Sequence, residues 1–107
     1  MSKSVIDRLA ATIESRKGAD PSTSHTAKML SKGPAKCAEK FGEEAIEAII
    51  EAAQGNRKAL ASEAADVVYH LLVMLASHDL SWSDVLTELE QREGTSGIAE
   101  KAARKKD

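Results

Sequence analysis

Apolar residues return every three to four positions along most of this chain, the spacing of one face of an α-helix. Val5, Ile6, Leu9 and Ile13 mark such a face over Val5–Lys17, and Gly18 ends it. Ala19–Ser24 (ADPSTS) carries turn chemistry and predicts a loop. A short helix is expected over Thr26–Ser31, stopped by Gly33. Pro34 then opens a long helix, at a position where its missing N–H does no harm. That helix runs to about Gln54 and stops at Gly55, and Asn56 caps another that extends to about His78. Ser81 with Asp84 resembles a capping box, Asp standing for the usual Glu or Gln, and opens a further helix over Trp82–Arg92. Gly94 and Gly97 break the pattern before a charged tail, IAEKAARKKD. No repeat, low-complexity tract or linker interrupts the chain, so residues 1–107 are expected to form one all-α domain. Its centre is a hairpin of two long helices, flanked by shorter ones.

The two long helices differ in how they spread their polar residues. At 100° per residue, Lys36, Lys40, Glu43, Glu44, Glu47 and Glu51 share one stripe of the first. Ala38, Phe41, Ala45, Ala48, Ile49, Ala52 and Ala53 cover the opposite side, with Ile46 and Ile50 at its edge. Like charges one turn apart repel by about 0.2–0.5 kcal/mol per pair, which Lys36 and Lys40 partly offset. Taken alone, a solvated polar face accounts for that stripe. The second helix is apolar nearly all round from Leu60 to Ala76, a pattern that predicts burial. Within it, Glu63 and Asp66 share a face and His70 follows one turn later. Unpaired buried charge is costly, so these carboxylates require either salt bridges to Lys36 or Lys40 or a divalent cation. A short link makes the hairpin antiparallel, so Glu44-x-x-Glu47 and Glu63-x-x-Asp66 converge. Hard oxygen donors of this kind suit Mg²⁺, or alternatively Mn²⁺. A di-iron carboxylate bundle would require Glu-x-x-His, and none of His25, His70 and His78 has a Glu three residues earlier.

Composition narrows the function classes. With 107 residues and 3% aromatic content, the chain has a modest, aliphatic core. The lone cysteine, Cys37, excludes an intramolecular disulfide and a Cys-based zinc site, so a reducing, cytoplasmic setting is expected. Cys37, Met29 and Met74 read as packing residues, Tyr69 as a residue of the core or of a subunit contact, and His70 as a hydrogen-bonded core histidine. A balance of 15 basic against 17 acidic residues, net −2, argues against a general nucleic-acid binder. No apolar run reaches the ~20 residues of a bilayer span. The N-terminal MSKSVIDRLAATIESRK lacks an export signal, so no membrane partner is expected. The wide aliphatic faces exceed what a chain this short covers by itself, which predicts a homodimer whose interface lies near the functional site.

Glu43-Glu44-x-x-Glu47 followed by Glu63-x-x-Asp66 resembles the MazG-like all-α nucleotide pyrophosphohydrolases. Longer strings narrow the resemblance to the phosphoribosyl-ATP pyrophosphatase family of histidine biosynthesis. They are Lys32–Ala53 (KGPAKCAEKFGEEAIEAIIEAA) and Ser62–Ala76 (SEAADVVYHLLVMLA), with Ala19–Leu30, Leu86–Glu93 and Gly94–Lys105 in agreement. His25 departs from the pattern, which usually has Tyr between Ser and Thr. A fused cyclohydrolase module, present in some relatives, is not expected here. The resemblance implies Mg²⁺-dependent hydrolysis of phosphoribosyl-ATP to phosphoribosyl-AMP and pyrophosphate, by a dimer whose helices complete a bundle. By motif position, Glu44, Glu47, Glu63 and Asp66 would hold metal. Glu43 would orient water or act as a base, and Lys40 would contact phosphate. Lys36, Ser24, Thr26 and Arg104 are the further substrate-binding candidates. Two other classes remain: a non-catalytic helical module kept soluble by its acidic stripe, and a house-cleaning hydrolase of free nucleoside triphosphates.

Overall fold

The computed structural model describes residues 4–94 of the chain. Five helices follow in order: α1 (Val5–Ser15), α2 (His25–Ser31), α3 (Pro34–Gln54), α4 (Arg57–Ala76) and α5 (Trp82–Gln91). Among the described residues all regular structure is helical, as the periodicity predicts. The charged tail, including Arg104, lies outside the described residues.

Local chemistry sets the boundaries. Ser24 caps α2 by accepting the Ala27 N–H at 3.1 Å, so the helix begins at His25, one residue before the periodicity alone suggests. Gly33 precedes Pro34 with φ 93°, and Gly55 closes α3 with φ 74°, both in the left-handed region that glycine enters at little cost. Directly after, the Asn56 side chain accepts the Ala59 N–H at 3.1 Å and starts α4. That helix stops at Ala76, short of the expected His78, because Asp79 turns left-handed (φ 58°) and the Leu80 N–H bonds back to the Leu75 carbonyl. Asp79 is held there by Lys17 Nζ at 2.8 Å, which ties the end of α4 to the end of α1. The Ser81–Asp84 capping box forms as its sequence suggests.

α3 and α4 pack lengthwise as a hairpin. α1 and α2 lie across the end remote from the Gly55–Asn56 turn, where the start of α3 meets the end of α4. The core is there: Ile13, Met29, Cys37, Leu72, Val73 and Ala76. The Cys37 thiol donates to the Met29 carbonyl at 3.4 Å, and burial pushes its pKa up, so it stays a protonated packing group. Ile13 is 1% exposed. An Ile13→Ala variant is therefore expected to lose about 2–5 kcal/mol of stability, read as a lower urea midpoint at unchanged slope.

The faces of α3 follow the sequence expectation, whereas α4 departs from it. α3 turns Cys37, Phe41, Glu44, Ala48 and Glu51 toward its neighbours, so part of its acidic stripe is half-buried. Its aliphatic side is left open, with Ile46 59% and Ile49 64% exposed. α4 is buried mainly in its second half, at His70, Leu72, Val73 and Ala76. A helix apolar all round was expected to be covered all round; one chain covers it on one side only. By length and mean hydropathy (1.5) α4 also matches a membrane-crossing helix, which the sequence pattern did not suggest. Glu63, Asp66 and His70 along it argue against that role, since a mid-bilayer carboxylate costs about 2.5–3.5 kcal/mol even on insertion scales.

Candidate functional site

The carboxylates meet at the middle of the hairpin. Glu44, Glu63 and Asp66 each offer one carboxylate oxygen, all within 4.8 Å of one another. Helical spacing explains the convergence. Glu44 lies on the α3 face turned to α4, and Glu63 and Asp66 stand three apart on α4. Glu47, one turn after Glu44, is exposed but close enough to act on both Glu44 and Glu63.

The electrostatics are unfavourable as they stand. Desolvation, followed by the neighbouring Glu47 carboxylate, raises the pKa of both Glu44 and Glu63. Oε2 of Glu63 is buried without a hydrogen-bond partner. Salt bridges to Lys36 or Lys40 would have relieved this, but Lys36 binds Glu39 at 3.2 Å and Lys40 binds Glu43 at 3.3 Å. Among the described residues, no lysine or arginine pairs with Glu44, Glu47, Glu63 or Asp66. The group nearest to a counter-charge is His70, whose Nε2 lies 3.9 Å from Glu44 Oε1. Burial pushes the His70 pKa below its ordinary value, so the imidazole is neutral near pH 7 and compensates little charge. Three convergent carboxylates, one of which also carries a buried and unpartnered oxygen, with no lysine or arginine among the described residues to answer them, fit a hard divalent cation.

The other sequence candidates fall nearby or elsewhere. Glu43 sits at the exposed edge of α3, engaged with Lys40. The Ser24 hydroxyl is occupied by the α2 cap. Thr26 Oγ1 shares a 2.6 Å hydrogen bond with the Tyr69 hydroxyl, tying α2 to α4. Sequence reasoning missed that tie, and it missed His25 stacking on Tyr69 at 6.3 Å between centroids. His70 is buried, as expected of a core histidine, and its Nε2 also comes within 3.9 Å of Glu44. The signal was there in the spacing: His70 follows Asp66 by four residues and Glu63 by seven, on the same helical face. A hollow between α1 and the start of α5, against Leu72, Leu75 and Trp82, lies apart from the carboxylates.

Comparison with known proteins agrees with this arrangement. The family model described as phosphoribosyl-ATP pyrophosphohydrolase matches residues 6–93. A protein of Cereibacter sphaeroides named phosphoribosyl-ATP pyrophosphatase is 71% identical over 101 residues, covering 94% of this chain and 98% of that protein. Proteins of the same name from Dinoroseobacter shibae and Paracoccus denitrificans are each 69% identical across 94% of this chain, and 99% and 93% of their own lengths are covered. The matched span contains the whole hairpin and all of its carboxylates, and with relatives this similar end to end, the chain belongs to the phosphoribosyl-ATP pyrophosphohydrolase family of hydrolases.

Proposed function

We propose that this enzyme hydrolyses phosphoribosyl-ATP between its α and β phosphates, giving phosphoribosyl-AMP and pyrophosphate, the second step of histidine biosynthesis, in the cytoplasm. The observation that carries the reading is the Glu44–Glu63–Asp66 cluster, with its orphaned Glu63 oxygen, in a chain of this family. Glu44, Glu47, Glu63 and Asp66 are the residues that would hold Mg²⁺ (or Mn²⁺). When bound, such an ion neutralises phosphate charge and lowers the pKa of a coordinated water. The chain's own groups do the rest. Glu43, next to Glu44 in the chain, is the group assigned in this reading to orienting a water or accepting its proton. Lys40, now paired with Glu43, exchanges that partner for a phosphate oxygen. Lys36 on the same face, and Ser24 and Thr26 at the head of α2, are the further substrate contacts, together with Arg104. Phosphoryl transfer depends mainly on positioning and charge neutralisation, which is what a rigid carboxylate hairpin with adjacent lysines supplies.

The working unit in this reading is a homodimer. Its support is the open aliphatic side of α3, with Ile46, Ile49 and Ile50 each about half or more exposed.

Pyrophosphate release from phosphoribosyl-ATP, ATP, dUTP and dCTP, each with and without Mg²⁺, tests the assignment. Turnover is expected with phosphoribosyl-ATP and Mg²⁺ together. Preference for dUTP or dCTP would replace the reading with nucleotide house-cleaning. No turnover with any of them, combined with no Mg²⁺-dependent rise in melting temperature, would leave a non-catalytic helical module.

A further inference from the structure

We propose that His70 is a positioning residue for the carboxylate cluster: its Nε2–H faces Glu44 and holds that side chain in the orientation from which Glu44 joins Glu63 and Asp66. The inference rests on the reading of Glu44 as a metal-holding group. Glu44 is otherwise surrounded by carboxylates: Glu47, which can share a hydrogen bond with it only when one of the two is protonated, and Asp66 and Glu63, so that in its ionised form it meets like charge from all three. A glutamate in such company swings toward solvent unless a donor restrains it. Among the described residues, His70 is the one donor within ion-pair distance, at 3.9 Å. That gap is less than an ångström beyond a hydrogen bond, and a small torsion of the Glu44 side chain closes it.

The imidazole is the fixed member of the pair. His70 is 8% exposed, on the stretch of α4 whose neighbours Leu72 and Val73 lie in the core. The Tyr69 ring meets it edge-on at 5.0 Å and 78°. Its two nitrogens differ sharply. Nδ1 is buried with no partner, and Nε2 faces the carboxylate. A proton on Nδ1 would strand a buried donor and turn a lone pair toward Glu44. With the proton on Nε2, a donor faces the carboxylate and only an acceptor is left unpaired, so the network selects the Nε2–H tautomer.

The nitrogens provide the test. Glutamine carries its amide nitrogen at the position of Nε2, whereas asparagine reaches only that of Nδ1. Mn²⁺ binding to the full chain, measured by calorimetry, is expected to weaken about 10-fold or more in His70→Asn, the range seen when a partner of a ligating group is lost. In His70→Gln it is expected to stay within about threefold of the parent, restoring most of that 10-fold loss. Equal weakening in both variants, or none in either, overturns the proposal while the metal reading stands. A parent protein that takes up no Mn²⁺ overturns both. A long-range ¹H–¹⁵N spectrum of the unsubstituted protein needs no variant to fold: the Nε2–H tautomer of His70 is expected, and the Nδ1–H tautomer overturns the assignment.

Discussion

Asp66→Ala abolishes pyrophosphate release while leaving the helices intact: that is the largest effect expected of any single change in this chain, and Glu47→Ala is expected to match it. Loss of one preorganised electrostatic group costs on the order of 10²–10³-fold in turnover, and both side chains are exposed, so neither contributes to the core. Near-normal turnover in either variant would remove the proposed carboxylate set. The stability of the metal-free protein should move the other way. Glu44 and Glu63 have pKa values raised above the ordinary 4.5, so folding favours their protonated forms. The stability they permit is present at acid pH and is lost as pH rises through their raised values. Glu63→Gln removes one such charge and supplies a donor beside Glu47. In chelator at pH 8 this variant is expected to melt above the parent, and near pH 4 the difference should vanish. Equal melting temperatures at pH 8 would show that the cluster carries no repulsive strain.

The second large effect concerns the open side of α3. Ile49→Lys is expected to halve the mass seen by light scattering and to lower both melting temperature and turnover. An exposed position in a monomer tolerates such a change within about 0.5 kcal/mol. At an interface it loses roughly 1.5–3 kcal/mol per isoleucine and buries a charge as well. The size of the melting shift therefore reports on the interface independently of mass. A parent protein that runs as a monomer at micromolar concentration would overturn the homodimer.

How much of this was legible in the sequence follows from what each signal is. Helix ends were clear because caps are local: Gly33-Pro34, Gly55-Asn56 and Ser81 with Asp84 act within a few residues. Convergence of Glu44, Glu63 and Asp66 followed from period and a short turn. How far the acidic stripe of α3 would sink between the helices did not follow. Periodicity gives two faces, one acidic and one aliphatic, and ordinary burial would have hidden the aliphatic one. In the structure Glu44 and Glu51 of the acidic face are half-buried while Glu43 and Glu47 stay exposed, and Ile46, Ile49 and Ile50 are left outside. Long-range pairs were equally hidden. Nothing in the spacing of Thr26 and Tyr69 announces a 2.6 Å bond between them, and the partners Lys36 and Lys40 chose were their own helical neighbours rather than the buried carboxylates.

The turn at Gly55–Asn56 has a kinetic consequence. Glu44 through Asp66 lie on one uninterrupted hairpin, so closing a short loop is enough to bring the carboxylates together. Contacts that local form early in helical proteins, on the microsecond-to-millisecond scale. α1 and α5, by contrast, must find their places from the chain's ends. Substitutions such as Ile13→Ala should then speed unfolding and leave the folding rate nearly unchanged, whereas Gly55→Ala, which strains the left-handed turn, should slow folding itself.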